Sequence, residues 1–194
     1  EFRRVLFRSE ISCISASGVI SAIDRGKYNP SLIGITRSGK WVTLPTDIKF
    51  EINDGQLPEV PENAPAISLD QINADVIFPI LHGPYGEDGT IQGLLEMLDI
   101  PYVGNGVLAS AVAMDKHFAK QIFMAHGIKV APGVALRKGD EIKDHGLGYP
   151  LFVKPARGGS SRGTHKVKRA EDLVEAVNDA FKFDNKVMLE KAIV

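Results

Sequence analysis

Three stretches of this sequence carry side chains suited to phosphate or to a small polar ligand. Arg157-Gly158-Gly159-Ser160-Ser161-Arg162-Gly163-Thr164 sets guanidinium groups and hydroxyls on a glycine-rich backbone. Guanidinium forks, hydroxyls and free backbone N–H groups all match phosphate oxygens. The run lacks the Gly-Lys-Ser/Thr ending of a Walker loop and leads into a strand-like segment, so it is neither that loop nor a dinucleotide fingerprint. The same residues also build plain turns. Lys154 ends an apolar stretch just before the loop. There it would place a point charge on phosphate, or simply snorkel from a strand end.

The second stretch starts at His82, directly after the apolar run 74–81. Open α/β sheets place ligands at the carboxyl ends of their strands, which suits His82 for substrate contact or for fixing its loop. Glu87 and Asp88 follow closely, but no second histidine stands at metal spacing, so a metal centre is the weaker reading. The third comprises Lys116 and Lys120, one helical turn apart, and the pair Glu190 and Lys191. Both pairs have bland alternatives, a solvated helix face and strand-edge charges.

Composition narrows the partner. With 23 Lys+Arg against 24 Asp+Glu the net charge is -1, which excludes a broad basic field for nucleic acid or anionic membrane. The single cysteine, Cys13, excludes an internal disulfide framework and a cysteine zinc cage, consistent with a reducing cytoplasm. No apolar run approaches the ~20 residues of a membrane span, and no signal peptide is recognisable.

The elements that must hold these groups follow from periodicity. Residues 13–24 predict a helix with Ser12 or Ser15 as N-cap, and 31–36 and 41–44 a hairpin around the turn 37–40. The run 74–81 reads as a strand covered on both faces. Ile91, Leu94, Leu95 and Leu98 mark the clearest helix, followed by a strand at 101–104. The alternation predicts a parallel α/β half. A long helix is expected over 107–126, stopped by Gly127. The second half reads as strands 151–154 and 164–168 flanking the loop 156–163, a helix over 170–182 with Leu173, Val174, Val177 and Phe181 inward, and a last strand over 187–194.

His82-Gly83-Pro84-Tyr85-Gly86-Glu87-Asp88-Gly89-Thr90-Ile91-Gln92-Gly93 is similar throughout to the HGxxGEDGxxQG motif of the D-alanine-D-alanine ligases, members of the ATP-grasp superfamily. Pro101-Tyr102-Val103-Gly104, Ala113-Met114-Asp115-Lys116, Val153-Lys154-Pro155, Gly159-Ser160-Ser161 and Leu189-Glu190-Lys191 resemble further family motifs in order and spacing. The resemblance implies an α/β fold, with an amino-terminal parallel α/β (preATP-grasp) domain over 10–105 and the first part of an ATP-grasp domain over 106–194. It implies that Lys116 and Lys154 contact ATP phosphates, that the loop bearing Ser160 and Ser161 closes over them, and that Glu190, Lys191 and the backbone near Ile193 stand on the adenine side. Ser160 would also help orient the first D-alanine. His82 matches the substrate-side histidine, and Glu10 the second glutamate of the family's SxExExS stretch.

Two departures shape the remaining expectations. The first glutamate of that stretch, which holds the substrate amino group, falls at Arg8, and the strand and glycines that precede it in the family are missing. Residues 1–9 therefore read as a foreign leader. The sequence also stops before the family's catalytic arginine and magnesium ligands, so no metal ligand is assigned within the chain. A fragment without ligase activity of its own is the expectation. For the parent, the resemblance implies a cytoplasmic homodimer that uses ATP, Mg2+ and D-alanine to make D-alanyl-D-alanine through an acyl phosphate for peptidoglycan synthesis. The rivals are a D-alanyl-D-lactate ligase and a non-catalytic nucleotide-binding fragment.

Overall fold

A computed structural model describes residues 9–193; Arg8, with the expected leader up to that residue, and Val194 lie outside the described residues. The described residues fall into two compact units that divide between Val107 and Leu108. The mixed α/β class holds.

The first unit opens with helix α1 (Ser9–Ala22). It begins earlier than its apolar spacing predicts, so Ser12 and Ser15 lie inside the helix and neither caps it. Strands β1 (Leu32–Ile35) and β2 (Trp41–Leu44) form the expected hairpin, with Leu32 opposite Leu44 and Ile35 opposite Trp41. Cys13, Val42 and Val60 make a small core there, with Leu44 and Phe50 packed against it.

The run 74–81 departs from expectation. Among the described residues its only ladder is a parallel bridge between Ile77 and Tyr102, made by Ile77 N–H to Pro101 O and Val103 N–H to Ile77 O, both 2.8 Å. Val76 and Phe78 are about half exposed, so the run is not covered on both faces. Apolar composition records what a segment can bury, whereas a strand also needs a neighbouring backbone to complete its ladder. Helix α2 (Thr90–Met97) forms where predicted and buries Ile91 and Leu95. Gly89, at φ 92°, must be glycine on two counts, because an added Cβ would also lie 2.7 Å from Val107 O.

The predicted helix 107–126 is two helices, α3 (Val107–Met114) and α4 (Lys116–Ala125). Asp115 breaks the run. Its backbone is extended, at φ -93° and ψ 101°, and its carboxylate accepts the N–H groups of His117 and Phe118 as the N-cap of α4. Gly127, at φ 74°, follows the end of α4 as predicted.

The second unit is built on a wholly antiparallel sheet of strands β3 (Gly133–Arg137), β4 (Leu151–Pro155), β5 (His165–Val167) and β6 (Lys186–Lys191), ordered β3-β6-β4-β5. Helix α5 (Leu173–Ala180), preceded by a short turn of 3₁₀ helix, packs on one face. Leu173, Ala176, Val177 and Ala180 recur at helical spacing and bury that stripe against Leu151, Val153, Val187 and Leu189. Val174, expected inward, is about half exposed instead. Strand alternation then fixes the other face. Phe152 pairs with Glu190 and Lys154 with Met188, so these four point away from the α5 core.

Candidate functional site

That second sheet face forms the floor of a cavity of about 420 Å³. Lys116, Lys154 and Glu190 line it, with Phe152 beneath and the loop from Gly158 to Arg162 alongside, so Ser160 and Ser161 belong to the same wall. Lys154 arrives from β4, Glu190 from β6 and Lys116 from the first turn of α4. The structure thus brings together five residues selected from distant parts of the sequence. Lys191 and Ile193 are not among the lining residues. Lys191 is the next residue along β6 from Glu190 and pairs with Leu151, so it points to the opposite face. Ile193 is largely exposed.

The glycine loop is held at its base. Lys116 Nζ donates to Gly158 O at 2.7 Å and reaches Pro155 O and Ala156 O at 3.4 Å. Arg157 is committed elsewhere. Its backbone N–H reaches Asp184 Oδ2 at 2.6 Å, and its guanidinium donates to Asp184 Oδ1 at 2.7 Å and to Asn185 Oδ1 at 2.8 Å. Of the two arginines of the loop, Arg162 lines the cavity, its guanidinium 5.4 Å from the Phe183 ring centroid, and Arg157 anchors the loop. Ser160 and Ser161 both adopt left-handed backbone, at φ 55° and 53°, a conformation that costs an L-residue about 1–2 kcal/mol. Backbone held in this way is characteristic of ligand clamps.

Charge is unevenly compensated. Burial, and then the charge of Lys154, hold the Lys116 ammonium below the ordinary lysine range. Burial alone would raise the Glu190 carboxyl, but hydrogen bonds from Lys120 and Lys154 hold it below its ordinary value. Lys120, whose spacing from Lys116 equally suits a solvated face, has a side chain only 14% exposed and paired with Glu190. Lys116, Lys154 and Arg162 against the one lining carboxylate, Glu190, leave the cavity wall cationic, and the arrangement can hold a polyanion. Among the described residues no three His, Cys, Asp or Glu side chains stand together to hold a metal ion. The cavity's one lining carboxylate is bound to lysines, so these residues do not by themselves fit a magnesium cage.

In the first unit, His82 Nε2 lies 2.9 Å from Ser15 Oγ, tying the end of the apolar run to α1. Glu87 and Asp88 fold the loop itself. Glu87 accepts Gly83 N–H, while Asp88 accepts Tyr85 N–H at 2.9 Å and Thr90 N–H at 3.0 Å. Glu10 is paired with Arg37 at 2.5 Å, and Arg37 also bonds Glu59.

Family models supply the decision. Residues 8–105 match the D-ala D-ala ligase N-terminus and residues 122–194 the D-ala D-ala ligase C-terminus. The chain belongs to the D-alanine-D-alanine ligase family. It is 42% identical to the D-alanine-D-alanine ligase of Paenarthrobacter aurescens over 95% of this chain and 56% of that protein. Its structure resembles the D-alanine-D-alanine ligase of Coxiella burnetii, with a TM-score of 0.82 and 34% identity over 97% of this chain and 61% of that one. The VanG D-Ala:D-Ser ligase of Enterococcus faecalis is nearly as similar, at TM-score 0.78 and 33% identity over 97% and 60%. A Bacillus anthracis D-alanine-D-alanine ligase solved with ATP matches 62% of this chain and 41% of its own at TM-score 0.57 and 38% identity. The chain spans little more than half the length of these curated relatives. No helix among the described residues is long and apolar enough to cross a membrane.

Proposed function

We propose that this chain carries the ATP-phosphate side of a cytoplasmic D-alanine-D-alanine ligase, an enzyme that joins two D-alanines through an acyl phosphate for peptidoglycan synthesis. The observation that carries the reading is the convergence of Lys116 and Lys154 with the Ser160-Ser161 loop on one cationic cavity. ATP supplies the phosphoryl group that activates a D-alanine carboxylate. Lys154 and Lys116 offset phosphate charge, and the loop beside them excludes water that would otherwise hydrolyse an acyl phosphate. Phe152 offers an apolar surface in the same cavity wall. His82 and Glu10 are assigned to the D-alanine side, with Ser15 orienting the His82 ring. Lys191 and Ile193 keep an adenine-side role through their backbone, since the Lys191 side chain points to the opposite face and that of Ile193 is exposed. Magnesium draws its ligands from outside this set.

Calorimetric titration of the 194-residue chain with ATP tests the nucleotide assignment. Lys154→Met should weaken binding by about tenfold or more, the scale of a lost charge-assisted bond to phosphate. Equal affinity in the variant and the original would remove Lys154 from the site. For the reaction itself, the diagnostic result is D-alanine-dependent phosphate release accompanied by D-alanyl-D-alanine.

A second reading keeps the chemistry and changes the acceptor. The likeness to a D-Ala:D-Ser ligase favours leaving the second substrate open among D-alanine, D-serine and D-lactate. Chromatography of the product formed from mixed acceptors decides among them.

A further inference from the structure

The two carboxylate oxygens of Glu190 are held by different lysines, Oε1 by Lys120 and Oε2 by Lys154. All three side chains are largely withdrawn from water, at 14% exposure for Lys120, 16% for Glu190 and 23% for Lys154. Lys154 lines the cavity; Lys120 approaches Glu190 from α4, one turn beyond Lys116. Lys120 Nζ is fixed from behind by Ala131 O at 2.5 Å. Gly133 lies beside it, since a Cβ at that position would be in ordinary contact with Lys120 Nζ at 3.4 Å.

An anion entering the cavity competes with Glu190 for Lys154. Were Lys154 the sole counter-charge, its transfer to phosphate would strand a partly buried carboxylate, a state far costlier than the intact pair. With Lys120 on the other oxygen, Glu190 stays compensated when Lys154 leaves. We infer that Lys120 is a positioning residue for nucleotide binding, which holds Glu190 so that Lys154 can turn to phosphate. The inference rests on the cavity being an ATP site.

A double-mutant cycle tests it. ATP affinity is measured by calorimetry for the original chain, Lys120→Met, Glu190→Gln and the double variant, with thermal unfolding recorded for each. Lys120→Met should weaken ATP binding by about tenfold, because the uncompensated carboxylate retains Lys154. In the double variant no carboxylate remains to be stranded, so affinity should return to within about threefold of Glu190→Gln alone. Lys120→Arg, which keeps the charge, should stay close to the original. A structural role for Lys120 would leave the loss in place when Glu190 is neutralised. That persistence, or an unchanged affinity in Lys120→Met, overturns the inference while the nucleotide reading stands. A folded original chain that takes up no ATP overturns both. Should Lys120→Met fail to fold, Lys120→Gln supports the same comparison.

Discussion

Asp115 and Lys186 form an ion pair almost sealed from water, their side chains 8% and 7% exposed. The same carboxylate caps α4, while Lys186 Nζ sits 4.2 Å from the Phe118 ring centroid. Asp115 immediately precedes Lys116, whose backbone N–H donates to Ala156 O at 3.0 Å, so this pair fixes the start of the helix that carries a cavity lysine. Removing one member of a buried pair strands the other. Lys186→Met should lower the unfolding free energy by about 3 kcal/mol in chemical denaturation. Asp115→Ala should cost about 1 kcal/mol more, since the helix cap goes with it. A loss below about 1 kcal/mol for Lys186→Met would mean that the pair hardly stabilises the unit.

Gly133→Ala should also destabilise, for a steric reason. The added Cβ would lie 2.6 Å from Leu189 O and 3.4 Å from Glu190 Cα, which forces β3 away from β6. Overpacking of this kind costs about 1–3 kcal/mol. The shift would reach Glu190 and Lys120, so ATP affinity should fall together with the melting temperature. A variant as stable as the original would show that the two strands separate freely.

The sequence reveals most where a single element decides the outcome. Ile91 and Leu95 face inward because α2 is amphipathic by itself, and Lys154 faces the cavity because β4 alternates. Strand β3 has no counterpart among the expected elements, because it follows Pro132 and opens on Gly133, residues that strands disfavour, yet Gly133 is what lets β6 approach. The break at Asp115 is hidden in a continuous apolar pattern, because a capping aspartate and a helix-interior one look alike until Lys186 is seen beside it. Lys120 reads as solvated because its partner lies 70 residues away. Lys191 is different. Period-two alternation already allows only one of Glu190 and Lys191 on the Lys154 face, so its placement was available from the strand pattern.

Acid should expose the contribution of Glu190. Its carboxyl is held below the ordinary value of 4.5 by two lysines, so the folded state binds its proton less readily than the unfolded chain. That stabilisation is fully present above pH 4.5 and is lost as pH falls through the folded value. The Glu190→Gln variant should therefore lose less stability than the original when both are acidified below pH 4.5. Asp115, likewise held low by Lys186 and by its cap bonds, remains in both proteins and supplies a common background slope. Parallel curves for the two chains would mean that Glu190 is not selectively stabilised in its ionised form.

Lys116 performs two tasks that one substitution should separate. Its ammonium ties the base of the glycine loop through Gly158 O, and it faces the cavity that we assign to ATP. In Lys116→Met the tether is lost, so amide hydrogen exchange over residues 157–163 should accelerate even without nucleotide. Lys116→Arg should preserve much of the protection, because a guanidinium can still reach the carbonyl. pH gives an independent handle. Burial and Lys154 place the Lys116 pKa below the ordinary 10.5, so its charge is lost earlier on the alkaline side than that of an ordinary lysine. As pH rises, ATP affinity in the original chain should begin to fall before pH 10.5 is reached, and this early decline should be smaller in Lys116→Met, which starts weaker and keeps only Lys154 facing the phosphates. Loop exchange unchanged in Lys116→Met would show that the carbonyl contacts do not hold the loop, and an identical pH profile in both chains would assign the alkaline loss to another group.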